Sequence, residues 1–141
     1  MARLIGQYEL NIDDKGRLVL PSVHRPRYEA GAVVANRHDH LAIYEPAEWD
    51  RFFEQLTERR SAGELTRTEF NLIAMGAADL KTDAAGRILV PTWLRDAAGI
   101  GREVLLTGAH EYLAIYPAGY LRQVDPEFIA SAAAKLDSLG L

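Results

Sequence analysis

Asp13 and Arg17 are separated by three residues, the last of them Gly16, and the same set returns as Asp83, Gly86 and Arg87. An Asp four residues before an Arg can act in two ways. Its carboxylate can close a turn and pair with the guanidinium, a structural role that contributes little when the pair is exposed. The guanidinium, a planar fork of N–H donors, can instead take phosphate oxygens or the O6/N7 edge of guanine. The two roles are compatible, because an Asp can orient the Arg that does the reading. Lys15 adds a cation to the first turn. In the second turn Ala84 and Ala85 replace Asp14 and Lys15, so the first is expected to carry more of any phosphate binding.

Other chemistry is thinly represented. Of the four histidines, His38 and His40 flank Asp39, but no spacing places a third ligand, so no metal site is expected. Their segment lies between two predicted strands, where polar residues are ordinary. There is no cysteine, which excludes disulfides and thiolate metal sites. No nucleophile–base pair, glycine-rich phosphate loop or zinc-protease pattern is present, and the carboxylates are scattered. Neither an enzyme, a cofactor nor a small-molecule substrate is expected.

The elements that must position the two Asp–Arg sets repeat with them. Each set lies in a longer string, Asp13-Asp14-Lys15-Gly16-Arg17-Leu18-Val19-Leu20-Pro21 with Arg25, and Asp83-Ala84-Ala85-Gly86-Arg87-Ile88-Leu89-Val90-Pro91 with Arg95. Such repetition decides the architecture. Tyr8, Leu10 and Ile12 alternate with polar residues, the period of a half-buried strand. The following turn and the run from Arg17 to Leu20 predict a β-hairpin with Arg17 just beyond its tip. Residues 78–90 predict a second hairpin. Pro21 and Pro91 end these strands, short helices run toward Gly31 and Gly99, and residues 32–35, 103–106, 41–44 and 113–116 read as further strands. Trp49, Phe52, Phe53 and Leu56, then Phe70, Ile73, Ala74 and Ala77, fall at helical spacing. Ser61-Ala62-Gly63 separates these two helices, and their aromatic face is expected to cover the core. Asp125 and Pro126 open a last helix with a stripe of Ile129, Ala132, Ala133 and Leu136.

With 141 residues, each repeat is marginal as an independent fold, so the two should share a core. Hydrophobic residues make up 48% and charged residues 26%, ordinary for a globular protein. The net charge of −4 argues alone against nucleic acid, but phosphate contacts need only local cations. Residues 1–40 carry six Arg/Lys against five Asp/Glu, and the remainder ten against fifteen. No signal-peptide core and no bilayer-spanning run is visible, and a soluble cytoplasmic protein is the simplest expectation.

These strings, with Gly6-Gln7-Tyr8 before the first and Tyr112-Leu113-Ala114-Ile115-Tyr116 after the second, resemble the MraZ family of bacterial transcriptional regulators over nearly the whole chain. The resemblance implies an α+β fold of two tandem SpoVT–AbrB-type swapped-hairpin units forming a pseudo-dimeric β-barrel with flanking helices. The units would be residues 5–48 and 77–120, with a helical connector at 49–76 and a C-terminal helix at 121–141. It implies a homo-oligomeric ring, associated with the nucleoid, that binds direct repeats in double-stranded DNA upstream of the cell-division and cell-wall gene cluster and regulates its own operon. It ties Arg17 and Arg87 to DNA binding. Lys15 joins them by its charge, with Asp13, Gly16, Asp83 and Gly86 supporting the turns. The chain departs from the family pattern at His24, where an aromatic is usual. An AbrB-like antitoxin and a protein-interaction ring without a DNA role are the rival readings; antitoxins of that kind are usually single-repeat chains with a disordered tail, where this chain has the duplication and a last segment expected to be helical.

Overall fold

A computed structural model describes residues 2–141. The fold is α+β, with eight strands and five α-helices among the described residues. Strand β1 (Gln7–Asn11) keeps the alternation read from the sequence, with Tyr8 and Leu10 half-buried between exposed neighbours. Then come β2 (Arg17–Val19), a 3-10 turn (Arg25–Tyr28), β3 (Ala32–Asn36) and β4 (Leu41–Tyr44). Helices α1 (Pro46–Ser61) and α2 (Arg67–Met75) follow. The second repeat supplies β5 (Ala77–Leu80), β6 (Arg87–Leu89), α3 (Thr92–Ala97), β7 (Glu103–Gly108) and β8 (Leu113–Pro117). The chain closes with α4 (Tyr120–Gln123) and α5 (Pro126–Ser138). None of these helices is long and apolar enough to cross a membrane.

The predicted hairpins form only as turns. One bridge joins Ile12 to Leu18 and one joins Thr82 to Ile88; beyond it the two strands separate. β1 leaves to pair with β7, and β5 leaves to pair with β3, so each repeat's first strand joins the other repeat's third. A six-stranded antiparallel sheet results, in the order β1-β7-β8-β4-β3-β5, with β2 and β6 paired as a separate ribbon. The sheet is open, since β1 and β5 stand at opposite edges. Exchange builds one core from both repeats, which suits two halves that are each marginal as independent folds. The main core draws Leu18, Leu20 and Ile43 from the first repeat and Ile88, Val90 and Ile115 from the second. Each such side chain contributes roughly 1.5–3 kcal/mol when fully buried.

The short helices differ between the repeats. The second forms α3, while the first makes only the 3-10 turn. Pro26 lacks the N–H that an α-helical bond back to Ser22 requires, whereas Asp96 stands at the matching place in α3. Tyr28 fastens the 3-10 turn, its buried Oη donating to the Ile43 carbonyl at 2.8 Å. Burial pushes that hydroxyl's pKa well above the usual tyrosine value.

The sheet's second face carries a smaller cluster of Val33, Ala35, Ala42 and Tyr44, covered by Trp49 and Phe52 of α1. The Tyr44 ring lies 5.5 Å from each of these aromatics, as expected of the aromatic stripe. A capping box between Thr66 and Glu69 starts α2. At α5 Asp125 caps as its sequence predicts, accepting from the Glu127 N–H at 2.9 Å. The apolar stripe also forms, but none of the described residues covers it: Phe128 is 70% and Ile129 53% exposed.

Candidate nucleic-acid interface

Both turns are built in the same way. Asp13 Oδ1 accepts from the N–H of Lys15 at 2.9 Å and of Arg17 at 2.8 Å, while Oδ2 accepts from Arg17 Nε at 2.6 Å. Asp83 does the same with the N–H groups of Ala85 at 3.0 Å and Arg87 at 2.9 Å, and with Arg87 Nε at 2.7 Å. The Arg17 N–H bond outweighs a burial penalty and, with the Arg17 side chain and the Lys15 N–H, holds the Asp13 carboxyl below the usual carboxylate range. The Arg87 N–H leads the same effect at Asp83. Both carboxylates are therefore ionised at neutral pH. Because each Asp holds its Arg by Nε, both Nη groups of Arg17 and of Arg87 stay free of hydrogen-bond partners among the described residues.

The expected pair of separate tips is instead one face. In the β2–β6 ribbon Leu18 lies opposite Ile88, Arg17 opposite Leu89 and Val19 opposite Arg87. Side chains alternate across a strand, and Leu18 and Ile88 are fully buried. Arg17, Val19, Arg87 and Leu89 therefore share the outward face. There the two arginines are diagonal neighbours, with backbone positions about 7–8 Å apart. Val19 is 44% and Leu89 54% exposed between them.

Two arginines not assigned a role from sequence complete the surroundings. Arg25 Nε donates to the Leu20 carbonyl at 2.9 Å, and Arg95 Nε to the Val90 carbonyl at 3.1 Å. Each lies over the glycine of the other repeat's turn. A Cβ on Gly86 would collide with Arg25 Cδ and Nε, and one on Gly16 would sit 3.0 Å from Arg95 Nη2 and 3.1 Å from the Val90 carbonyl oxygen. Both glycines are buried beneath these side chains and have φ of +87° and +76°, a region L side chains rarely adopt. The repetition of Pro-x-x-x-Arg was the available signal for Arg25 and Arg95; nothing local pointed to the turn each one covers.

Lys15 is exposed at the first turn. Arg102, from the segment before β7, comes within 3.4 Å of Asp14. The His38–His40 segment is occupied otherwise. His40 Nδ1 lies 2.7 Å from Asp39 Oδ1, and its Nε2 lies 3.1 Å from Tyr112 Oη. His24 is buried in place of the expected aromatic, its ring edge-on to Tyr8.

Comparison with known proteins gives this arrangement relatives. The family model described as "MraZ protein, putative antitoxin-like" matches residues 4–71 and 73–136. The transcriptional regulator MraZ of Neisseria gonorrhoeae is 38% identical over 118 residues, 79% of this chain and 78% of the relative. That of Roseiflexus castenholzii is 33% identical over 113 residues, 79% of each chain. That of Caldicellulosiruptor bescii is 30% identical over 142 residues, 98% of this chain and 99% of the relative. These relatives are named as regulators of transcription and not as enzymes. With both repeats matched and relatives aligned over most of their length, the chain belongs to the MraZ family.

Proposed function

We propose that the β2–β6 ribbon is a face for double-stranded DNA and that the protein is a sequence-specific transcriptional regulator. The observation that carries this reading is the register that puts Arg17 and Arg87 on one outward face with their Nη groups free, in a chain of net charge −4. A major groove admits a two-stranded β-ribbon, and β-ribbon proteins do enter grooves in this way. Lys15, Arg17 and Arg87 contact the DNA, while Asp13, Gly16, Asp83 and Gly86 keep the turns in shape. The name of the relatives supports the transcriptional role. In line with the family, the targets are direct repeats upstream of the cell-division and cell-wall gene cluster, including the protein's own operon, and the protein works in the cytoplasm at the nucleoid.

Two SpoVT–AbrB-type units, residues 5–48 and 77–120, act as a pseudo-dimer, with 49–76 as connector and 121–141 as C-terminal helix. The exchange of β1 and β5 between repeats supports the swapped-hairpin description, and the core enclosed by sheet and ribbon supports a barrel-like unit. The uncovered stripe of α5 supports a homo-oligomer, read here as a ring. Linking several ribbons in one ring raises their effective concentration on repeated sites and selects them by spacing.

Anisotropy titration on the DNA upstream of the protein's own gene, at two salt concentrations, tests this reading. Binding weakens with salt and is lost in a folded Arg17→Ala variant. If the wild-type protein ignores the duplex at low salt, the α5 stripe favours the second reading, a protein-interaction ring with no DNA role.

A further inference from the structure

We propose that Arg25 and Arg95 are phosphate-binding residues, each serving the turn of the other repeat, so that each anion site is built from both halves of the chain. This inference rests on the DNA-binding reading above.

Four arginines surround the ribbon, and all four are tethered through Nε. Asp carboxylates hold Arg17 and Arg87. Backbone carbonyls of Leu20 and Val90 hold Arg25 and Arg95. A tether at Nε fixes the plane of the guanidinium and leaves the Nη edge, the edge that takes phosphate oxygens in pairs. Among the described residues both Nη groups of Arg25 lack a partner, and Arg95 gives only Nη2 to Thr92 Oγ1 at 3.0 Å. Among the described residues neither has a carboxylate within ion-pair distance, in contrast to Arg27, Arg51 and Arg59, which pair with Glu45, Glu48 and Glu64.

Placement supplies the second half of the argument. Leu20 N–H donates to the Gly86 carbonyl at 2.9 Å and Val90 N–H to the Gly16 carbonyl at 2.9 Å. The strand end that carries each tethering carbonyl is therefore locked to the opposite turn. Arg95 lies on Gly16, the neighbour of Arg17, and Arg25 lies on Gly86, the neighbour of Arg87. Each turn is thus served by two guanidinium groups, its own arginine and that of the other repeat, and the Asp that opens the turn pairs only with the first; the second is left to a phosphodiester. Because phosphate contacts position the protein while base contacts specify sequence, Arg25 and Arg95 carry the sequence-independent share of binding.

The test is anisotropy titration between 50 and 200 mM salt of the wild type and of Arg25→Gln, Arg95→Gln, Arg25→Lys and Arg95→Lys. Two duplexes of equal length are used, one from upstream of the gene and one unrelated. Each Gln variant should lower the slope of log K against log salt by about 0.9 for each chain in contact with the DNA and weaken both duplexes by the same factor. The Lys variants keep the charge and should keep the wild-type slope, which covers the case of Gln variants that melt early. An unchanged slope in a folded Gln variant, a reduced slope in a Lys variant, or a loss confined to the upstream duplex would each overturn the inference while leaving the DNA-binding reading intact. Wild-type protein that binds neither duplex would overturn both.

Discussion

The first turn carries Asp13, Asp14, Lys15, Gly16 and Arg17, and the second carries Asp83, Ala84, Ala85, Gly86 and Arg87. Their hydrogen bonds agree to within 0.1 Å, bond for bond. The two residues that differ are therefore not needed for the geometry. What the turn requires is an acceptor at its start, a glycine with positive φ and an arginine that returns to the acceptor. Asp14 and Lys15 are free to set local charge. Once the tertiary structure brings Arg25 to the second turn and Arg95 to the first, the second is less bare than its two alanines imply. The outer faces of the repeats differ more. Trp49 and Phe52 cover the first, while the helix that follows the second repeat, α5, keeps its apolar stripe in solvent.

The comparison can be broken most decisively at the arginines. Arg17→Ala should cost about 1–3 kcal/mol of DNA binding per chain, multiplied across an oligomer. Arg87→Ala should cost somewhat less, since no lysine stands beside it. Parallel titrations that rank Arg87 above Arg17 would reverse the assignment of the first turn as the stronger.

The glycines come next. Gly16→Ala and Gly86→Ala both force a non-glycine residue into positive φ, at about 1–3 kcal/mol each. Gly86→Ala should be the costlier in urea denaturation, because its Cβ would collide with Cδ and Nε of Arg25, a side chain tethered to the Leu20 carbonyl, whereas Gly16→Ala meets contacts of 3.0 and 3.1 Å.

His24 is the first repeat's counterpart of Leu94, and both are buried. Its Nδ1 has no partner among the described residues, and burial, with the Arg27 charge adding to it, holds its pKa below the usual 6.5. The unfolded chain binds this proton more readily than the folded one. Stability is therefore full above about pH 6.5 and falls as the pH drops below it. His24→Leu should remove that slope and add about 1 kcal/mol at neutral pH by deleting a buried unpaired donor or acceptor. Thermal melts at pH 7.5 and 5.5 separate the two effects; parallel slopes for both proteins would refute the assignment.

Helix caps then sharpen the contrast between the outer faces. Thr66→Ala removes the cap of the packed α2 and should cost about 1 kcal/mol. Asp125→Ala, at a cap of similar chemistry, should leave the melting of the isolated chain unchanged because every residue of α5 is exposed. Equal losses would mean that α5 is coupled to the core after all.

Lys15→Ala makes the first turn resemble the second. Stability should change by no more than about 0.5 kcal/mol, and the salt slope of binding should fall by about 0.9.

The features legible in the sequence are those whose cause lies within a few residues. Asp–Arg turns, strand alternation, the two aromatic helices and the cap at Asp125 follow from residue types at short spacing, and all are present. Repetition of the Asp-x-x-x-Arg string also announced that the chain is built from two like units. Tertiary structure alone decided which strands meet. An alternating strand states which face is buried but not which partner lies alongside, so β1 read as half of a local hairpin and became the partner of β7. The same ambiguity hid the merging of Arg17 and Arg87 on one ribbon face and the seating of Arg25 and Arg95 on each other's repeat. Those contacts join one repeat to the other around a shared core, and they exist only once both halves have folded together.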